Sequence, residues 1–274
     1  DAGRTSVAAL LQTTLDALPD AAREAFAAWG AFWSPQITPE MLALYQLEIP
    51  EPTDEQIQEV RGWLEDRSEE FSDEEIIQYL DGQYVDEHLS ADDVALLDLQ
   101  RYGLATRIAA ETDAHGYPKH IAHFQLHDLA YAYTSASATD ETRARALAAC
   151  LSYTERYKQP SRQNFAALLP ELDNCMGAAA FAFERERWRD AERFASNLYE
   201  GGGSGGITML LGYYTQAQTL LSRAADAAAR RGDKQAQGAH LGNLGSAYRE
   251  LGQYQQAIEY HMQALDISRE ISDR

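Results

Sequence analysis

Apolar residues recur at helical spacing along almost the whole chain, with one stretch where the period shortens to two. Leu11, Leu15 and Leu18 form a first stripe. Ala22, Phe26 and Trp29 form a second, in a helix that Asp20, after Pro19, is placed to cap. Pro39 opens a short helix through Gln46 with Met41, Leu42 and Tyr45 inward. Three further starts pair a small hydroxyl residue with an acid or amide three positions on. Thr53 and Gln56 precede Ile57, Val60 and Leu64; Ser72 and Glu75 precede Ile76, Ile77 and Leu80; Ser90 and Asp93 precede Val94, Leu97 and Arg101. Residues 104–108 and 120–126 then alternate, with Ile121 and Phe124 set apart. The intervening 111–119 is turn-rich, with Gly116 and Pro118, so the pair predicts a β-hairpin. Helix returns over 127–136. From Thr139 onward everything reads as helix, punctuated by Ser161, Pro170, Gly232 and Gly252.

The last third carries the clearest pattern. Residues 238–269 read GAHLGNLGSAYRELGQYQQAIEYHMQALDISR, with small and large apolar residues at helical spacing and Gly252 in the middle. Two antiparallel helices of this kind cannot bury their apolar faces alone and must stack on neighbours. Before it, GGGSGG at 201–206 has the composition of a flexible linker. Ala191, Phe194 and Leu198 precede it and Ile207 and Leu211 follow. With the six residues removed the stripe continues in phase, so the hexapeptide reads as an artificial linker set into one helix or in place of a loop.

Charge changes this picture in one region. The formal net charge is −20, and residues 48–93 hold 17 Asp or Glu against only Arg61 and Arg67. Its helical stripes mark this stretch as folded, an acidic insertion over about 48–90. Such a field repels phosphate backbones and anionic lipid, so neither nucleic acid nor a membrane surface is an expected partner. No run of about 18 apolar residues spans a bilayer. No basic stretch followed by an apolar one marks a secretory signal, and Cys150 and Cys175 lie in separate helical segments without metal-ligand spacing. A cytoplasmic location with two reduced, buried thiols is expected. Both ends read as cuts within a larger protein.

Catalytic chemistry finds little footing. There is no G-x-x-x-x-G-K-[ST] loop, no G-x-S-x-G elbow and no cysteine–histidine pairing. His120, His123 and His127 invite a metal reading, but on a strand His120 and His123 point to opposite faces, which argues against shared ligation. Nothing around the many carboxylates suggests a raised pKa. No catalytic residue, metal or cofactor is therefore assigned to this chain.

The order helix, helix, helix, hairpin is that of a winged helix. FQLHDLAYAY at 124–133 resembles the end of the winged-helix domain of STAND-class signal-transduction ATPases, the NB-ARC or apoptosome-like family, with Leu15–Phe32 and VALLDLQRYGLAT at 94–106 as the matching upstream segments. ELDNCMGAAAFAF at 171–183 resembles the first superhelical element after such a domain. Residue 238 onward resembles a tetratricopeptide repeat, with Leu244, Gly245, Tyr248, Ala257 and Ala264 on consensus positions and Leu241, His261 and Arg269 as departures. Ala217 and Ala257 are 40 apart instead of the usual ~34. The acidic insertion is longer than the resemblance accounts for.

The expected fold is mainly α: a winged-helix-like domain over 1–138, a helical linker and superhelix start over 139–232, and a tetratricopeptide repeat over 233–274, an α-α superhelix. The resemblance implies the regulatory and sensor part of a STAND ATPase, whose ATPase core lies upstream in cis and holds ADP or ATP. It places His127 against the nucleotide diphosphate in the resting state; the plain alternative is that His127 caps the helix beginning at Asp128. The segment 92–101, where a DNA-reading winged helix is basic, carries Asp92, Asp93 and Asp98 against Arg101, so a protein-packing role is expected. On the repeats, His240, Asn243 and Arg249 are candidates to line a concave groove that takes a protein or peptide ligand. Two alternatives stay open: a stand-alone repeat scaffold, and the signal-sensing part of a transcriptional regulator.

Overall fold

The computed structural model describes residues 2–65, 72–91, 93–201, 203 and 205–272. Its first half runs α1 (Ala2–Asp16), α2 (Asp20–Trp29), β1 (Gln36–Ile37), α3 (Pro39–Gln46), α4 (Asp54–Glu65), α5 (Asp73–His88) and α6 (Val94–Arg101). Then come β2 (Ala105–Ile108), β3 (Glu111–Thr112), β4 (Pro118–His120), β5 (His123–Leu126) and α7 (Asp128–Ser135). β5 is the centre of a three-stranded antiparallel sheet in the order β1-β5-β2, with Phe124 opposite Ile37 on one side and Arg107 on the other. β3 and β4 pair separately at the tip of the hairpin.

Local chemistry explains most boundaries. The Thr38 hydroxyl accepts from Met41 N and Pro39 takes the first helical position, so α3 starts where its fixed φ and missing N–H are harmless. Met41, Leu42 and Tyr45 are buried as the stripe required. Thr53 and Gln56 close the reciprocal bonds of a capping box at α4. The Ser72–Glu75 device cannot be followed, because the Glu75 side chain lies outside the described residues. Three expectations need correction. Pro19, not Asp20, occupies the cap of α2, and Asp20 sits in its first turn. Asp93 heads α6 without a side-chain capping bond. The buried face of α6 is Leu96 and Leu99; Val94 is 61% exposed, because the helix meets α2 one residue round from the stripe drawn through Val94 and Leu97.

The second half is helical: α8 (Asp140–Tyr157), α9 (Arg162–Leu168), a 3-10 turn over Leu169–Glu171, α10 (Leu172–Glu184), α11 (Trp188–Ala195) running into a π-turn over Ser196–Glu200, α12 (Ile207–Leu210), α13 (Tyr214–Arg231), α14 (Lys234–Glu250) and α15 (Tyr254–Ser272). Thr139 and Ser161 cap α8 and α9 through side-chain oxygens. Gly232 and Gly252 reverse the chain at φ +74°, a conformation that costs other residues strain. α13 buries Ala217, Leu220, Leu221, Ala224, Ala225, Ala227 and Ala228 between α11 and α14. In the last pair, Gly245 makes room for the His261 ring; a Cβ there meets it at 2.8 Å. The outer face of α15 stays open, with Tyr254, Ile258, Met262 and Leu265 exposed.

Residues 201–206 do not interrupt a single rod. Gly206 N donates to Tyr199 O at 2.6 Å, Gly205 N to Glu200 O at 2.7 Å, and the Thr208 hydroxyl to Leu198 O at 2.7 Å, so the segment closes back on the helix it leaves. A Cβ on Gly201 meets Gly205 O at 2.6 Å, and one on Gly206 meets Leu198 O at 2.5 Å, both backbone. The loop therefore needs glycine at these positions. The in-phase stripe misleads because the π-turn advances the helix surface before the loop begins.

The two halves share one core, continuous from Leu15 to Ala247, across the boundary expected at 138/139. A buried polar clasp joins them. The Asn174 side-chain oxygen accepts from Trp33 N at 3.0 Å and Ser34 N at 2.7 Å, while its Nδ2 donates to Gln36 O at 2.8 Å and Glu171 Oε2 at 2.7 Å. Glu171 Oε1 accepts from Thr38 N at 2.5 Å. Two residues of the α10 start thus satisfy four backbone groups of the 33–38 turn, at Trp33, Ser34, Gln36 and Thr38, including the entry to β1 and the cap of α3. Beside them Trp33 lies on Gly177, where a Cβ falls 2.2 Å from the ring. Gly177→Ala is expected to push Trp33 off Phe181 and cost about 1–3 kcal/mol, readable as a lower midpoint in urea denaturation. An unchanged midpoint means that Trp33 can turn aside freely.

Candidate partner-binding groove

α5, α8, α11, α13 and α14 enclose a groove in which two cavities share Gln78 and Arg193. One, of about 410 Å3, lies between α5, α8 and α11. The other, of about 510 Å3, lies toward the repeats and is lined by Arg193, Glu192, Glu200, Arg231 and His240 among others. α11 builds the divide. Its apolar stripe, Ala191, Phe194 and Ala195, is buried in the superhelix, which leaves Asp190 and Arg193 to face the groove.

Of the three residues proposed for this face, His240 lines the repeat-side cavity and Asn243 reaches it only through Glu200. His240 is buried, with Nε2 3.9 Å from Glu192 Oε2 and a buried Nδ1 that has no hydrogen-bond partner. Burial pushes its pKa down despite the pull of Glu200, Glu192 and Asp233, so the ring is neutral at neutral pH. Asn243 donates to Glu200 Oε1 at 2.8 Å, and its carbonyl accepts from the Tyr199 hydroxyl at 3.4 Å. Arg249 does not join them: it pairs with Glu250 at 2.8 Å on the exposed end of α14. The residues that complete the groove were not legible as site residues. Glu192 is held by Arg231 at 2.7 Å, and Glu200 is presented by the π-turn. The signal available was the cluster of charges on one side of α11, opposite its stripe. Tyr248 stacks on Tyr260 with centroids 5.1 Å apart and accepts from Gln218 at 2.5 Å, a packing role.

The other candidates fall elsewhere. His127 stands at the cap of α7, exposed, with its backbone N donating to Leu104 O and no side-chain capping bond. The capping role is thus corrected: the ring is free of that duty. His120 and His123 do not point apart. The chain leaves strand geometry between them, their rings meet edge to face at 5.3 Å, and both Nδ1 atoms approach Ile121 O. No group of three or more metal-ligating side chains occurs among the described residues. Cys150 and Cys175 are both free and buried, and their thiols are neighbours, which with burial raises the Cys150 pKa. The expectation of unperturbed carboxylates is also overturned. Burial lifts Glu171 to about 7 and raises Asp81, which only Arg193 opposes.

Helix pairs stacked through small residues, a glycine under a large ring, and a groove on the inner side are the geometry of a helical repeat array. Residues 195–270 match the tetratricopeptide repeat family model. The match begins at the end of α11 and takes in α13, α14 and most of α15. Tetratricopeptide repeats are in general non-catalytic modules that bind protein partners, and this segment supplies Ser196, Glu200, Arg231, Ala236, Ala239 and His240 to the repeat-side cavity. Comparison with curated proteins and with solved structures gives no match. No helix among the described residues is long and apolar enough to cross a membrane.

Proposed function

We propose that the chain is the regulatory and sensing part of a STAND-type signal-transduction ATPase. A winged-helix domain holds an upstream ATPase core shut, and the repeats receive a protein or peptide signal. Supporting this reading, α2 packs against α3, α6 and α7, α6 leads into the β1-β5-β2 sheet, and β3 and β4 extend the hairpin where a wing would lie. The observation that carries it is His127: an exposed imidazole between the central strand and α7, at the head of the HDL sequence. A ring nitrogen there donates to a nucleotide diphosphate in the closed state and loses it when the domain swings away. The core shared by the two halves supplies the coupling. A ligand in the repeat groove moves the superhelix and winged helix as one body, and so shifts the equilibrium between shut and open by its differential affinity.

The deciding experiment uses the intact protein. His127→Ala is expected to weaken ADP retention by about tenfold, the worth of one charge-assisted hydrogen bond, and to raise basal ATP turnover. Unchanged ADP affinity and basal turnover overturn the switch role. A stand-alone repeat scaffold is the second reading, favoured by the repeat match alone. It holds if the intact protein binds a partner through the groove and binds no nucleotide.

A further inference from the structure

The cavity between α5, α8 and α11 has an apolar wall of Ile49, Ile77, Val85 and Leu151, and a wall of charged groups. Most of those charges are already matched. Arg156 is paired with both Glu40 and Asp86, Arg187 with Asp190 at 2.6 Å, and Glu155 with Lys158. Two groups are left, one on each side. Asp81 of α5 makes no hydrogen bond or close ion pair among the described residues and is countered only at longer range by Arg193. Arg193 of α11 reaches Asp190 only at 3.8 Å, and its Nε is buried without a partner. The two are not within bonding distance of each other, yet both line the same space.

Half-buried charges that are countered only at long range are costly, and the cost is recovered by a group of opposite sign with good geometry. A simple anion satisfies Arg193 but is repelled by Asp81; a simple cation does the reverse. A molecule that carries both an ammonium and a carboxylate answers both walls at once. The volume, about 410 Å3, falls in the range of small-molecule sites and is larger than one small amino acid needs. From this we infer that the cavity binds a zwitterionic, amino-acid-like ligand of about dipeptide size with apolar side chains. Its ammonium meets Asp81, its carboxylate meets Arg193, and its side chains lie against Ile49, Ile77, Val85 and Leu151. Such a ligand ties the acidic insertion to the superhelix, a small-molecule input distinct from the protein partner of the repeats and independent of any ATPase.

The test is calorimetric titration of the purified chain with the dipeptide Leu-Leu. Saturable one-to-one binding is expected, weakened about tenfold or more by Asp81→Asn and by Arg193→Gln, and by a similar factor when the probe is N-acetylated or C-amidated. Both residues are partly exposed, and melting curves that match the parent confirm that the variants fold. No saturable binding up to about 10 mM, or binding that either substitution or either cap leaves unchanged, overturns the proposal.

Discussion

Asn174→Ala is expected to destabilise the protein by about 3–5 kcal/mol, the largest effect of any single substitution outside the apolar core. The side chain is fully buried and makes four hydrogen bonds, three of them to the backbone of 33–36. Alanine removes them together. It strands Trp33 N, Ser34 N and Gln36 O in a region that excludes water, and each buried group left unsatisfied costs about 1–3 kcal/mol, partly relieved by local movement. It also takes the Nδ2 donor from Glu171, which is buried and keeps only its bonds to Thr38. Urea denaturation measures the loss directly. A loss below about 1 kcal/mol implies that water enters and replaces the amide. The consequence for function lies in position: the 33–38 turn carries β1 and the cap of α3, so the variant loosens the N-terminal half against α10 without touching either cavity. Hydrogen exchange is then expected to rise first at β1 and the start of α3.

This clasp also marks the limit of what the sequence discloses. Features set by neighbours along the chain were legible: Pro39 opening α3, the Thr53–Gln56 box, and the glycine reversals at 232 and 252. Each rests on bonds or contacts that the local pattern spells out. Features set by distant partners were not. Glu171 and Asn174 read as an ordinary helix start, and their partners lie more than 130 residues away. β1 is two residues long and has no alternation to detect. The face of α6 depends on where α2 lies, which periodicity alone does not fix. The histidine pair failed because residues 121 and 122 are not strand, so the rule that alternate residues point apart does not apply. For the groove, spacing put His240 and Asn243 three apart on α14; His240 lines the repeat-side cavity, and Asn243 reaches it only through its bond to Glu200. Arg249 missed because it lies nine residues beyond His240, half a turn out of phase. Glu200 was hidden because the π-turn sets it where an α-helix does not.

The second large effect concerns pH and the same clasp. Glu171 is completely buried, and burial raises its pKa from 4.5 to about 7, with Glu40 pushing the same way and the bonds from Asn174 and Thr38 opposing. Tyr153 and the Cys150 thiol also feel this carboxylate. A folded pKa above the unfolded one means that folding favours the protonated acid. The stability this group contributes is therefore complete below about pH 4.5 and is lost as pH rises through about 7, an amount of about 3 kcal/mol. Glu171→Gln isolates it. The glutamine carbonyl can still accept from Thr38 N, but its amide sets a donor against Asn174 Nδ2, so the variant starts less stable than the parent at low pH. Its own stability has no term from this site. The stability gap between parent and variant should accordingly shrink by about 2–3 kcal/mol between about pH 5 and about pH 8, with every other titrating group cancelling in the difference. Urea curves at three pH values across that span suffice. A gap that stays constant shows Glu171 ionised throughout, and one that widens with pH shows the Asn174 and Thr38 bonds outweighing the loss of solvent around the carboxylate.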